Sequence, residues 1–361
     1  MLKIAIDCRM IGSGGIGSFI YEMIPYFLEK NECLLIGTHE QCMDFVRMQN
    51  VEFCFCDIPP FSFKEISGFP ADILQKINSY QVYFTPYCNI PSGIEIPVFS
   101  TIHDVVFLDV KGLTGFFGRL GRKFFYQRAI NFSDEIFTVS EFSKSRIRAN
   151  LHCKKPLTVV HNGIPKYLES TLEDEIKNPP SKKDQILFVG NIKKHKGLKT
   201  LLDAFEMAEK KGFSSKLVIV GNKDNFRTGD DETASRLESF PEEKVEFTGR
   251  ISNDELKFLY AESKFLVQPS LYEGFGIPPL EALSQGTPAI ISDIPVFKEI
   301  YSGFPVEFFK AGDAEDLCRK MMNFKQEKVD ISSLKEKYSY KRSAEKIMTE
   351  MADFMAKKAF Q

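Results

Sequence analysis

Short apolar runs alternate with stretches of helical periodicity along the chain. In the first half, residues 2–7, 33–37, 81–85, 98–102, 135–139 and 157–160 read as strands, and residues 18–28, 116–131 and 141–150 as helices. The second half repeats the pattern, with strands at 185–189, 216–220, 244–247, 265–268 and 288–291 and helices at 200–211, 254–261 and 279–285. Strands alternating with helices predict α/β architecture with parallel sheets. Between the halves, residues 165–184 are charged, contain Pro and lack apolar periodicity, the composition of a linker. The predicted organisation is a Rossmann-like domain over 1–165, a linker over 166–184 and a second Rossmann-like domain over 185–338. A last helix over 339–361 carries Ala344, Ile347, Met351, Phe354 and Met355 on one stripe. Two such domains are expected to face each other across a cleft, the usual place for a ligand.

Composition narrows the function classes. The 361 residues carry a net charge of −2, so no bulk field recruits nucleic acid. The eight cysteines are scattered without a C-x-x-C pair, which predicts buried, reduced thiols and no metal site. The N-terminus enters a strand at once and meets Asp7, unlike a signal peptide. No apolar run approaches the ~18 residues of a membrane span. A cytoplasmic protein is expected. Thirty-four Phe with no Trp are read as core filler.

Gly12, Gly14 and Gly17 spell G-x-G-x-x-G between a predicted strand and a predicted helix, the dinucleotide fingerprint. An NAD-linked oxidoreductase would also need an acidic residue at the end of the second strand. That strand ends in Thr38-His39, with Glu40 only in the loop, and four residues separate Asp7 from Gly12. The glycines then imply close backbone approach to some other ligand.

The segment PSLYEGFGIPPLEALSQG (269–286) is the most informative. Glu273 and Glu281 bracket Gly274, Gly276, Pro278 and Pro279. Paired prolines suit the start of a helix. Phe275, Gly276 and Ile277 are therefore placed on a loop entering a helix N-terminus, whose free amides suit an anion. Glu281 is expected in the first helical turn and Glu273 on the loop above it. This stretch matches the E-x7-E signature of retaining glycosyltransferases with the GT-B fold, and nearly the whole chain resembles glycosyltransferase family 4.

The resemblance implies a GT-B fold and specific roles. Glu273 would lie by the donor sugar, Glu281 on the ribose, and the amides of Phe275, Gly276 and Ile277 on the sugar or diphosphate. In FVGNIKKHKGLKTLLDAF (188–205), Lys196 would meet the leaving nucleoside diphosphate. Many relatives carry an Arg where this chain has Asn191, and Lys193, Lys194 and His195 stand as alternatives for a second cation. In STIHDVVFL (100–108), His103 alone reads as structural. The resemblance places it beside the donor hexose, bonding through its ring or its carbonyl. Arg250 and Ile251 would border the nucleobase, while Asn162-Gly163 reads as a structural turn. The last helix would return to the first domain. Gly14, Gly15, Gly17 and Arg9 would lie near the donor diphosphate or the acceptor.

No Asp-x-Asp occurs, so neither a metal nor any other cofactor is expected. The function implied is transfer of a hexose (mannose, rhamnose or glucose type) from a nucleotide-diphosphate sugar. The acceptor would be a hydroxyl of a glycan or lipid-linked saccharide in surface polysaccharide synthesis, and the anomeric configuration would be retained. An NAD-linked oxidoreductase and a non-catalytic nucleotide-sugar-binding protein are the alternatives. One further stretch, 111–128, interleaves Phe116, Phe117, Leu120, Phe124 and Phe125 with Arg119, Arg122, Lys123 and Arg128. The favoured reading buries the aromatic face in the first domain's core. The other makes it a peripheral contact with the inner membrane face.

Overall fold

A computed structural model describes residues 1–169, 181–221, 231–325 and 332–359; residues 170–180 of the expected linker lie outside the described residues. The chain divides into two compact units, Met1–Gly163 with Tyr338–Gln361, and Ile164–Lys337.

The first unit is built on strands β1 (Lys3–Asp7), β2 (Glu32–Gly37), β3 (Val51–Phe55), β4 (Val82–Thr85), β5 (Val98–Thr101), β6 (Glu135–Thr138) and β7 (Leu157–Val159). They pair in the order β3-β2-β1-β4-β5-β6-β7, every pair parallel. The inner strands are apolar on both faces because a parallel sheet is covered on both sides. Phe27, Phe84, Phe99 and Phe137 form one chain of ring contacts in this core, with centroids 5.5 to 6.4 Å apart. Each fully buried ring contributes about 1.5–3 kcal/mol. From β1 the chain builds outward to β3 and then returns to β4 on the other side of β1. The C-terminal ends of β1 and β4 therefore flank a topological switch point, where open parallel sheets leave a crevice.

The helix Tyr340–Ala359 completes this unit. It packs on the helix Gly14–Leu28, burying Ala344, Ile347 and Met351. Asn31 Nδ2 lies 3.0 Å from Met348 Sδ, and the Phe99 and Phe354 rings meet edge to face at 5.6 Å. Ser343 Oγ donates to the His161 carbonyl and Lys346 Nζ to that of Val159. A Cβ on Gly163 would stand 2.2 Å from Tyr340 N, so close approach, not the turn alone, demands this glycine.

Two expectations are corrected in this unit. The helix begins at Gly14, not Ser18, so Gly14, Gly15 and Gly17 form its first turn and not a loop. Gly17 is there for packing, since a Cβ would meet the Met10 carbonyl at 2.3 Å. The helix Phe116–Phe132 buries Tyr126, Ala129 and Ile130, but Phe116, Phe117, Leu120 and Phe124 face outward, between 57% and 84% exposed. The aromatic stripe does not fill the core.

The second unit carries β8 (Gln185–Val189), β9 (Lys216–Val220), β10 (Val245–Gly249), β11 (Leu266–Gln268), β12 (Ala289–Ser292) and β13 (Val306–Phe309), in the order β10-β9-β8-β11-β12-β13, again parallel. Its switch point lies between β8 and β11. The start of the expected linker, Lys166–Glu169, is a helix that buries Leu168 and belongs to this unit. All eight cysteines are free thiols, seven of them buried. Among the described residues, no helix is long and apolar enough to cross a membrane.

Candidate active site

The two loops that leave the switch point of the second unit meet. After β8 the chain runs through a short 3-10 turn, Lys194–Lys196, into the helix Leu198–Glu209. After β11 it runs through residues 269–276 into the helix Ile277–Ser284. Leu271 N donates to the His195 carbonyl at 2.8 Å, joining the loops. Gly197, at φ +70°, is where they come closest: a Cβ would stand 2.0 Å from the Pro269 carbonyl. This geometry seats Lys196 on Glu273. Its Nζ lies 2.7 and 2.8 Å from the two carboxylate oxygens.

Glu273 is 8% exposed, and Ser270 Oγ donates to its Oε1 at 2.7 Å. Gln268 Nε2 in turn donates to Ser270 Oγ at 3.1 Å, and Ser292 Oγ bonds the Ser270 carbonyl. The carboxylate is thus held by a relay built from the ends of β11 and β12. Burial and the neighbouring Lys196 lower the His195 imidazole to about 4. His195 is therefore neutral near pH 7 in this arrangement. Asn191 is exposed at the end of β8, and Arg250 and Ile251 follow β10 at the same C-terminal edge of the sheet.

Gly276 caps the helix Ile277–Ser284 at φ +87°, with its carbonyl bonded by Tyr301 Oη and the Phe297 ring filling the space of a Cβ. Phe275 is buried, and Ile277 is the first helical residue. Pro278 and Pro279 have no amide hydrogen, so of the helix-start amides only those of Gly276 and Ile277 are left without an intrahelical acceptor, while Leu280 N–H, in the fourth position, bonds back to the Gly276 carbonyl. Glu281 falls just past the first turn rather than within it. Its two oxygens accept from Tyr260 Oη at 2.6 Å and Tyr167 Oη at 3.4 Å. Burial pushes its carboxyl above the usual range, while those hydrogen bonds pull it back.

His103 and the glycine segment belong to the first unit. His103 follows β5, and its Nε2 donates to the Pro86 carbonyl at 3.0 Å, because a carbonyl can only accept. Nδ1 is then the acceptor. Burial holds the ring at about 4, hence neutral. The Phe19 ring stands edge-on at 4.8 Å, so the helix that begins with the glycines shapes the His103 wall.

Arg9 is turned into the first unit's own charged cluster. It is 2% exposed and pairs with Asp7 at 2.6 Å and Glu65 at 2.7 Å. Tyr83 Oη donates to Asp7 at 2.7 Å and Tyr87 Oη to Glu65 at 2.6 Å. This buried cluster sits at the C-terminal ends of β1 and β4. Burial pushes the Glu65 carboxyl up to about 7 against the pull of Arg9 and Tyr87. Sequence reasoning missed the Tyr167, Tyr260 and Ser270 supports, whose partners lie up to 114 residues away. It also missed Asn89, fully buried with neither side-chain amide atom hydrogen-bonded. Among the described residues, no group of three or more His, Cys, Asp or Glu is placed to hold a metal ion.

Comparison with known proteins bears on this arrangement. Residues 169–344 match the family model "Glycosyl transferases group 1", and residues 14–166 match "Glycosyltransferase Family 4". The chain is 30% identical over 181 residues to the O-antigen chain mannosyltransferase RfbU of Salmonella typhimurium, covering 49% of this chain and 47% of that protein. It is 26% identical over 261 residues to the uncharacterized glycosyltransferase MJ1178 of Methanocaldococcus jannaschii, covering 70% of this chain and 66% of that one. The match thus spans about half of the first relative's length and about two thirds of the second's. Among solved structures, sucrose-phosphate synthase from Thermosynechococcus elongatus superposes with a TM-score of 0.72 at 15% identity, over 99% of this chain and 100% of that one. Anabaena Alr3699/HepE in complex with UDP and glucose gives 0.71 at 16% identity, over 98% and 100%. These likenesses establish the GT-B fold. With both halves matched by the paired family models, the chain belongs to glycosyltransferase family 4.

Proposed function

We propose that the chain transfers a hexose from a nucleoside-diphosphate sugar to a hydroxyl of a glycan or lipid-linked saccharide, with retention and without a resident metal. The Lys196–Glu273 pair at the β8/β11 crevice, beside the amide-bearing start of the helix Ile277–Ser284, carries this reading. A diphosphate at that helix end gains hydrogen bonds from the first-turn amides and the favourable end of the helix dipole. Lys196 adds a cation where charge gathers on the leaving group.

The bond from the anomeric carbon to the diphosphate oxygen breaks, and a new bond forms to the acceptor oxygen. The hydroxyl proton passes to the departing diphosphate, on the face it leaves from. Glu273 positions the sugar and steadies Lys196, Glu281 binds the ribose, and Arg250 with Ile251 borders the base. Neutral His103 offers an acceptor nitrogen or its carbonyl to the hexose. Asn191, Lys193 and Lys194 line the phosphate approach, while Gly14 and Gly15, exposed in the first helical turn, let the acceptor come near the backbone. Relatives named O-antigen and serotype-specific mannosyltransferases favour mannose, in surface polysaccharide assembly. HepE, by contrast, was solved with UDP-glucose.

Thermal shift against GDP, UDP, dTDP and NAD, followed by transfer assays with the matching donors, tests this. A nucleoside diphosphate at 100 times its Kd should stabilise by about 2.7 kcal/mol. Lys196→Ala should weaken that response. Stabilisation by NAD alone would overturn the proposal.

A further inference from the structure

We propose that the outer face of the helix Phe116–Phe132 docks on an anionic lipid surface. The helix is held to its unit by Tyr126, Ala129 and Ile130, so its outward stripe is not a misplaced core face. Phe116, Phe117, Leu120 and Phe124 fall within an arc of roughly 100° at 3.6 residues per turn. They are 78%, 84%, 57% and 57% exposed. Single exposed apolar residues need no explanation, but four large ones on one stripe mark an interaction surface.

Charge identifies the occupant. Residues 110–133 contain no Asp or Glu, whereas Lys111, Arg119, Arg122 and Lys123 are all exposed. Two of these cations are fixed in place: Arg119 donates to the Leu108 carbonyl at 2.7 Å, and the Arg122 guanidinium lies 3.9 Å over the Phe107 ring. An acid-free, basic stretch on a chain of net charge −2 suits a surface of anionic headgroups. Aromatic side chains prefer the level of those headgroups. With no described helix able to span a bilayer, the contact is peripheral.

The test is flotation of the full chain with phosphatidylcholine vesicles and with vesicles containing about 30% phosphatidylglycerol. The protein should float with the anionic vesicles and stay behind with the neutral ones. Phe117→Ser combined with Phe124→Ser should lower the partition coefficient by about tenfold or more, with an unchanged melting temperature. Lys111→Glu with Lys123→Glu should lower it comparably, and added salt should reproduce that loss. Failure to float with anionic vesicles, or unchanged flotation of the double Phe variant, overturns the proposal. So does a dimer by light scattering that the double Phe variant converts to monomer, or flotation that ignores lipid charge. The assay contains no sugar donor, so its outcome is independent of glycosyl transfer.

Discussion

Lys196 and Glu273 satisfy each other, which is a liability for anyone who removes one of them. Lys196→Ala leaves a carboxylate that is 8% exposed with Ser270 as its remaining side-chain donor. It should cost about 1–3 kcal/mol of stability, as well as about 100-fold or more in kcat. Lys196→Met with Glu273→Gln should recover the melting temperature but not the turnover; recovery of both would remove Lys196 from the chemistry. Glu281→Gln keeps the shape of the side chain and discards its charge. The donor KM should rise about tenfold to a hundredfold, with kcat changed far less. A fall in kcat alone would detach Glu281 from donor binding. The spacing of Glu273 and Glu281 was legible in the sequence, as was the lysine. The ion pair between residues 77 apart was not, nor were the two tyrosines on Glu281, because only the folded sheet brings those ends together.

Elements differ in how plainly they announce themselves. The inner strands are continuous apolar runs because both faces are covered, and all of them are predictable. β3, with sequence VEFCF, and β13, VEFF, sit at sheet edges and are half-exposed, so their patterns are weak and both were missed. Glycines also mislead: at 14, 15 and 17 they suggest a loop, yet a helix starts there, held by the packing along Phe19, Ile20 and Met23. Gly197 is the glycine on which two elements depend. Gly197→Ala would strain a left-handed backbone and push the Pro269 carbonyl away, breaking the link between Leu271 and His195. The second unit should lose about 2 kcal/mol or more, read from its melting transition, together with donor binding. In the first unit, the short helix Phe63–Ser67 is anchored by Glu65, whose carboxyl is raised to about 7. A raised acid contributes most where it is protonated in both states, and that contribution fades as pH climbs through its folded value. The first unit should therefore lose about 1 kcal/mol between pH 6 and 8 in urea unfolding, and Glu65→Gln should flatten that slope. A slope unchanged in the variant would assign the effect elsewhere.

At the scale of the molecule, each of the two units has a hydrophobic core of its own. Calorimetry should resolve two transitions, and a bound nucleoside diphosphate should move only that of the second unit. A shift of both would place contacts of the nucleoside diphosphate itself in the first unit as well. The two-domain plan and the closing helix were readable from the alternation of runs; the helix Lys166–Glu169 inside the expected linker was not, since four residues carry too little periodicity. The closing helix has a further consequence during synthesis. Residues 340–359 leave the ribosome after every strand of the second unit, yet they cover the helix Gly14–Leu28 and meet Phe99, both of which are made before that unit. The second unit has all its strands in hand before the first can be finished. The order of folding therefore inverts the order of translation, and the nascent first unit must wait, with an apolar face uncovered, for its closing helix.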